Sequence, residues 1–186
     1  MIHHWNYFLA IEEDLERLSR FIEFDERNFD CFSIEISRIL LASGAEVDVV
    51  CKQICKKLNQ SSSAKSINRY RDEIMAAYPA VSGFEVLYPR HELRLTPWSS
   101  WNDPKDVPIW WTAYNKTKHH RDTEYIKANL RNCLNAVAGL FVMVLYLYKE
   151  KAKLGELGPA PKLHFSEKYF KGIAHGGYAL SVVYDL

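Results

Sequence analysis

Cysteine is scarce in this chain, with four among 186 residues: Cys31, Cys51, Cys55 and Cys133. That excludes a small secreted scaffold held by disulfides. The N-terminus shows no basic stretch followed by an apolar run, so a cytoplasmic, reducing setting is expected. Cys51 and Cys55 stand four apart on one helical face, but no second Cys or His pair stands nearby to complete a tetrahedral site. They read as packed thiols, and no metal or other cofactor is expected. A surplus of one charge is also missing: 24 Lys and Arg face 23 Asp and Glu, a net charge of +1. This excludes a strongly basic nucleic-acid coat and an acidic solvating tail. Eight Gly and seven Pro exclude collagen-like or linker-dominated chains. The longest apolar run, Ala136 to Tyr148, has thirteen residues. As a helix it would reach about 20 Å, against about 30 Å for a bilayer core, so it predicts a buried helix and no membrane. A Gly-rich phosphate loop, a His-Glu-x-x-His zinc helix and a Gly-x-Ser-x-Gly elbow are all absent.

What is present is enough apolar content for a full core, 48% of residues. Phe8, Ile11, Leu15, Leu18 and Ile22 recur at helical spacing and predict a first helix over 6–24. Ile36, Leu40, Val47, Val50, Ile54 and Leu58 predict a second over 32–59, running through Ser43-Gly44 at a cost of about 1 kcal/mol for the glycine. A third spans 66–78 and stops before Pro79. Two β-like runs around Pro89-Arg90-His91 predict a hairpin at 84–96, followed by a Pro-rich loop. A fourth helix starts near Pro108 and a fifth runs over 124–153. The expected architecture is mainly α: an up-and-down bundle of about five helices over 1–154 with a small hairpin insertion. An irregular extension over 155–186 packs on it. The segment from Tyr178 to Tyr184 alternates and could add a strand to the hairpin.

Charge is segregated along the chain. The first thirty residues carry eight acids and three bases, and the remainder a surplus of six positive charges. One face meeting an anion would fit this. The densest basic stretch is Trp110-Trp111-Thr112-Ala113-Tyr114-Asn115-Lys116-Thr117-Lys118-His119-His120-Arg121-Asp122. On a helix, Trp111, Asn115, Lys118, His119 and Asp122 form one stripe, and Trp110, Tyr114, Thr117 and Arg121 its neighbour. An imidazole exchanges protons near neutral pH. A carboxamide one turn earlier can hold a phosphate oxygen, and Lys118 and Arg121 can stabilise charge on a phosphoryl group. Asp122 could fix the His119 tautomer or pair with Lys118. The plainer alternative is a solvated basic face late in a helix. Trp98, Trp101, Trp110 and Trp111 fall within fourteen residues, and packing of the loop outweighs base stacking as their role.

The Asn115, three residues, His119 pattern, placed between a long helix and an apolar one, resembles the HEPN superfamily of all-helical domains. Many of these are metal-independent ribonucleases. The signature reads Arg, a polar residue, three residues, then His, and Tyr114 stands here where Arg is expected. The likeness extends loosely over residues 6–150. It implies that His119 assists attack of an RNA 2′-hydroxyl on the adjacent phosphate, while Asn115 and a nearby cation hold that phosphate without metal. His119 and Asn115 are then the catalytic candidates. Lys118, Arg121 and Tyr114 are the phosphate-binding candidates, with Asp122, Glu46 and His120 as accessories. The resemblance also implies a homodimer with facing motif helices. Two functions follow as expectations: an endoribonuclease of toxin or defence type, or a non-catalytic relative that binds RNA, a nucleotide or a protein partner through the Asn115/His119 face. The Tyr114 departure favours the second.

Overall fold

The computed structural model describes residues 1–176 and 179–186. It is mainly helical, 60% of residues, with two small antiparallel hairpins, in agreement with the mainly-α expectation. The helices are α1 (His3–Leu18), α2 (Ile34–Leu58), α3 (Ile67–Ala77), α4 (Ile109–Glu124), α5 (Leu130–Leu147) and α6 (Lys149–Leu154). The strands are β1 (Val86–Tyr88), β2 (Leu93–Leu95), β3 (Phe170–Gly176) and β4 (Ala179–Tyr184).

The apolar run is the centre of the molecule. Every residue of α5 from Ala136 to Leu147 is buried, and α2 packs along it while α1 and α4 also lean on it. Among the described residues α5 alone is long and apolar enough to cross a membrane, and 89% of it lies inside the fold. Its apolar character on all sides therefore serves the core.

Side chains set the helix starts. Ser33 Oγ accepts the Ile36 N–H at the head of α2 (3.2 Å), and Asn129 Oδ1 accepts the Asn132 N–H at the head of α5 (3.1 Å). The expected single helix over 124–153 is instead three pieces: a one-turn segment at Tyr125–Lys127, then α5, then α6 after a non-helical Tyr148. The first break is tertiary in origin. The N–H groups of Leu130 and Arg131 donate to the carbonyls of Cys31 (2.8 Å) and Phe29 (3.1 Å), tying the start of α5 to the loop before α2. The first helix also ends earlier than its apolar period, at Leu18, where Ser19 Oγ donates back to the Glu16 carbonyl (2.7 Å).

Two glycines allow α4 to seat closely. A Cβ on Gly44 of α2 would stand 2.4 Å from Cγ and Cδ2 of Tyr114, and one on Gly139 of α5 would stand 2.9 Å from Cζ2 of Trp110. The helix cost of Gly44 is thus offset by the approach it permits. The four clustered tryptophans are buried in this seam: Trp98 Nε1 donates to the Gly139 carbonyl (3.1 Å) and Trp110 Nε1 to that of Pro97 (2.8 Å).

The extension beyond residue 154 is held by a buried carboxylate. Glu12 of α1 accepts the N–H groups of Lys162 (3.0 Å), Leu163 (2.9 Å) and His164 (3.2 Å), and faces His164 Nδ1 at 2.8 Å. His164 Nε2 lies 2.8 Å from the Tyr88 hydroxyl, which donates to the Leu134 carbonyl (3.0 Å). One chain of polar contacts therefore joins α1, the extension, β1 and α5. The C-terminal segment does not add a strand to the first hairpin as expected. Among the described residues of the extension only Phe165 bridges to the first hairpin, at Leu87; β4 pairs with β3 in a sheet of its own. The expected strand begins at Tyr178, which with Gly177 lies outside the described residues.

Candidate functional site

α4 begins at Ile109 directly after Pro108, and its stretch before the kink presents Trp110, Trp111, Ala113, Tyr114 and Thr117 to the interior. The helix is interrupted at His120, whose backbone (φ −139°, ψ 40°) is not helical. This kink decides the geometry of the site, because residues after it do not continue the stripes drawn on an unbroken helix.

Before the kink, Asn115 and His119 share one opening. Together with Trp111, Thr112, Lys116 and His120 they line a cleft of about 390 Å³ floored by Ile67 at the start of α3 and by Val107. Asn115 is half-buried, and its Nδ2 donates to the Trp111 carbonyl (3.0 Å), which fixes the amide and leaves Oδ1 and the second N–H available. His119 is exposed and, among the described residues, its ring hydrogen-bonds to nothing in the protein. The His120 ring stands 6.4 Å from it, so both imidazoles reach the same mouth although their spacing on an ideal helix would part them. Lys116, which the unbroken helix points elsewhere, also reaches the cleft and pairs with Glu124 across the kink at 3.3 Å.

The remaining candidates lie elsewhere. Tyr114 is 5% exposed, with its ring in the Gly44 socket, so it packs α4 onto α2 and does not line the cleft. Lys118 sits with Nζ 5.6 Å above the Tyr114 ring, outside the cleft lining. Arg121 and Asp122 are turned by the kink into a different groove, about 870 Å³, shared with Ser37, Arg38 and Leu41 of α2. Asp122 therefore does not set the tautomer of His119. Glu46 is engaged by α1: its Oε1 lies 2.5 Å from His4 Nδ1, whose ring also meets Gln53 Nε2 at 2.7 Å.

Sequence reasoning missed Ile67 and Val107. No local signal marks them, because they reach the cleft only through the packing of α3 and of the Pro-rich loop against α4. The cysteines carry no site. Burial pushes the Cys55 thiol up to about 12, and the Glu73 carboxylate adds to that rise; burial likewise raises Cys51 and Cys133. No metal-ligating cluster of His, Cys, Asp and Glu occurs among the described residues.

No protein-family model, curated protein or solved structure matches this chain.

Proposed function

We propose that this protein is a HEPN-like helical domain that binds RNA through the α4 cleft, holding a backbone phosphate between Asn115 and His119. One observation carries the reading: a carboxamide and an imidazole, one helical turn apart, open together onto a solvent-facing cleft, and the ring has no hydrogen-bond partner among the described residues. The second amide N–H of Asn115 and an imidazole N–H of His119 or His120 are suited to phosphate oxygens. The apolar floor of Ile67, Val107 and Trp111 gives the sugar or base a surface to cover.

Binding without cleavage is the reading supported best. Charge developing on a phosphoryl group needs a fixed cation aimed at it. Tyr114 supplies none, Arg121 faces the other groove, and Lys116 is shared with Glu124. A homodimer that brought two α4 clefts together could supply a cation from the second copy, and this is the arrangement under which endoribonuclease activity would arise. The setting we assign is the cytosol, with all four thiols free.

The test is a fluorescence-anisotropy titration of a labelled single-stranded RNA in EDTA, at two salt concentrations, with wild type and the Asn115→Ala/His119→Ala variant. Saturable binding that weakens with salt and drops at least tenfold in the variant is the expected result. Absent binding, or equal binding by the variant, overturns the proposal.

A further inference from the structure

A second opening has a chemistry more one-sided than that of the α4 cleft. A groove of about 490 Å³ lies at the C-terminal end of α2 and is lined by Lys52, Lys56, Lys65 and the hydroxyl-bearing Ser62 and Ser63. Lys52 is paired with Asp48, which also accepts the Tyr70 hydroxyl at 2.8 Å. Neither Lys56 nor Lys65 forms an ion pair among the described residues, and no carboxylate lines the groove.

Its position gives it meaning. Lys65 lines this groove, and Ile67, two residues on, floors the α4 cleft. Two residues of chain span at most about 7 Å, so the two openings flank a single stretch of backbone. The start of α3 lies at that junction with no acid in its first turn and no side-chain cap from Ser66, and Arg69 is exposed there. The positive end of the helix dipole thus adds to the lysines rather than opposing them.

Resting on the RNA reading above, we propose that the Lys56/Lys65 groove is a second phosphodiester-binding subsite, and that one RNA strand crosses residues 64–67 from it into the Asn115/His119 cleft. The ligand is then an extended strand rather than a mononucleotide. A single phosphate fills one opening; only a polymer gains from both, because the second contact is made at high effective concentration. Ammonium groups on flexible stems track a backbone without reading bases.

The experiment compares a labelled uridine trinucleotide with a dodecamer, using the full chain as wild type, Lys56→Ala/Lys65→Ala and Lys56→Arg/Lys65→Arg. Both lysines are exposed, so the variants should melt as wild type does. Wild type should bind the dodecamer more tightly than the trimer. The alanine variant should lose about tenfold on the dodecamer near 0.1 M salt, with a log–log salt slope shallower by about 1.4, the value for two lost single-strand phosphate contacts. Trimer binding at the α4 cleft should stay unchanged, and the arginine variant should restore the dodecamer. If the alanine variant keeps full dodecamer affinity, the second subsite is overturned while the α4 reading stands. If wild type binds neither oligonucleotide, both fall. If poly-glutamate displaces the dodecamer from wild type as well as unlabelled RNA does, the groove recognises any polyanion and the phosphodiester assignment is overturned.

Discussion

Tyr114 and Gly44 form a socket in which a single added carbon has no room: a Cβ on Gly44 would lie 2.4 Å from the ring. The contact joins the helix that carries the candidate site to the longest helix of the molecule. It also explains why the position before Asn115 holds an aromatic residue. Gly44→Ala gains helix propensity of about 1 kcal/mol but must displace the ring. Overpacking costs roughly 1–3 kcal/mol, and a clash with two ring atoms belongs in the upper half of that range, so once the helix gain is subtracted a net loss near 1–2 kcal/mol is expected. At about 2–4 °C per kcal/mol for a chain of this size, thermal melting should show a fall of roughly 5 °C. A variant that melts at or above wild type would show that α4 is not seated there.

Tyr114→Arg installs the residue that the proposed HEPN likeness expects before Asn115. Here it would put a guanidinium into a buried socket between α2 and α4, with the Lys118 ammonium 5.6 Å from the position of the ring. An unpartnered buried charge is costly, about 3 kcal/mol or more. The expected outcome is a destabilised protein with no gain in RNA cleavage, checked by melting and by gel assay in EDTA. Cleavage appearing in this variant would mean that the arginine finds the cleft.

Glu12 should make the attachment of the C-terminal extension sensitive to acid. Burial alone would raise its carboxyl, but the hydrogen bond and charge of His164, with the N–H donors of Lys162 and Leu163, outweigh it and hold the pKa below its ordinary 4.5. A carboxyl lowered in the folded state contributes stability that is present above its unfolded pKa and is lost as pH falls through the folded value. Stability should therefore decline below about pH 4.5, and this part of the decline should vanish in Glu12→Gln. Glu12→Ala, which strands His164 and three backbone donors, should cost about 3–5 kcal/mol at pH 7. Urea denaturation across pH reads both; an unchanged pH profile in Glu12→Gln would refute the role given to this carboxylate.

Thiol reactivity should single out Cys31. It is exposed, whereas Cys51, Cys55 and Cys133 are buried and their thiols are pushed up by burial. A native sample at pH 8 should react rapidly at one thiol with a maleimide and at all four after unfolding. Fast native reaction at Cys51 or Cys55 would contradict the packing of α2 on α5.

Much of this architecture was legible in the residue pattern, and the exceptions share a cause. The second helix was expected over 32–59 and spans Ile34–Leu58, because an uninterrupted apolar stripe and Ser33 mark it locally. The end of α3 before Pro79 and the hairpin around Pro89 are also local signals. The breaks on either side of α5 were not legible, since the first is made by hydrogen bonds to Phe29 and Cys31, a hundred residues away. For the site, Asn115 and His119 were found together by spacing. A straight helix would keep Arg121 and Asp122 beside them, and the kink at His120 parts them. No residue in Lys118-His119-His120-Arg121 is a helix breaker by type. The Lys116–Glu124 pair spans the bend, and a one-turn segment at Tyr125–Lys127 follows it.

The most direct test of the α4 cleft is NMR observation of the Asn115 side-chain amide and the His119 imidazole during titration with a short single-stranded RNA in EDTA. Both resonances should move saturably and together, while those of Glu46 and Arg121 stay in place. Saturable shifts that leave Asn115 and His119 untouched, or no shifts at all, would contradict the assignment.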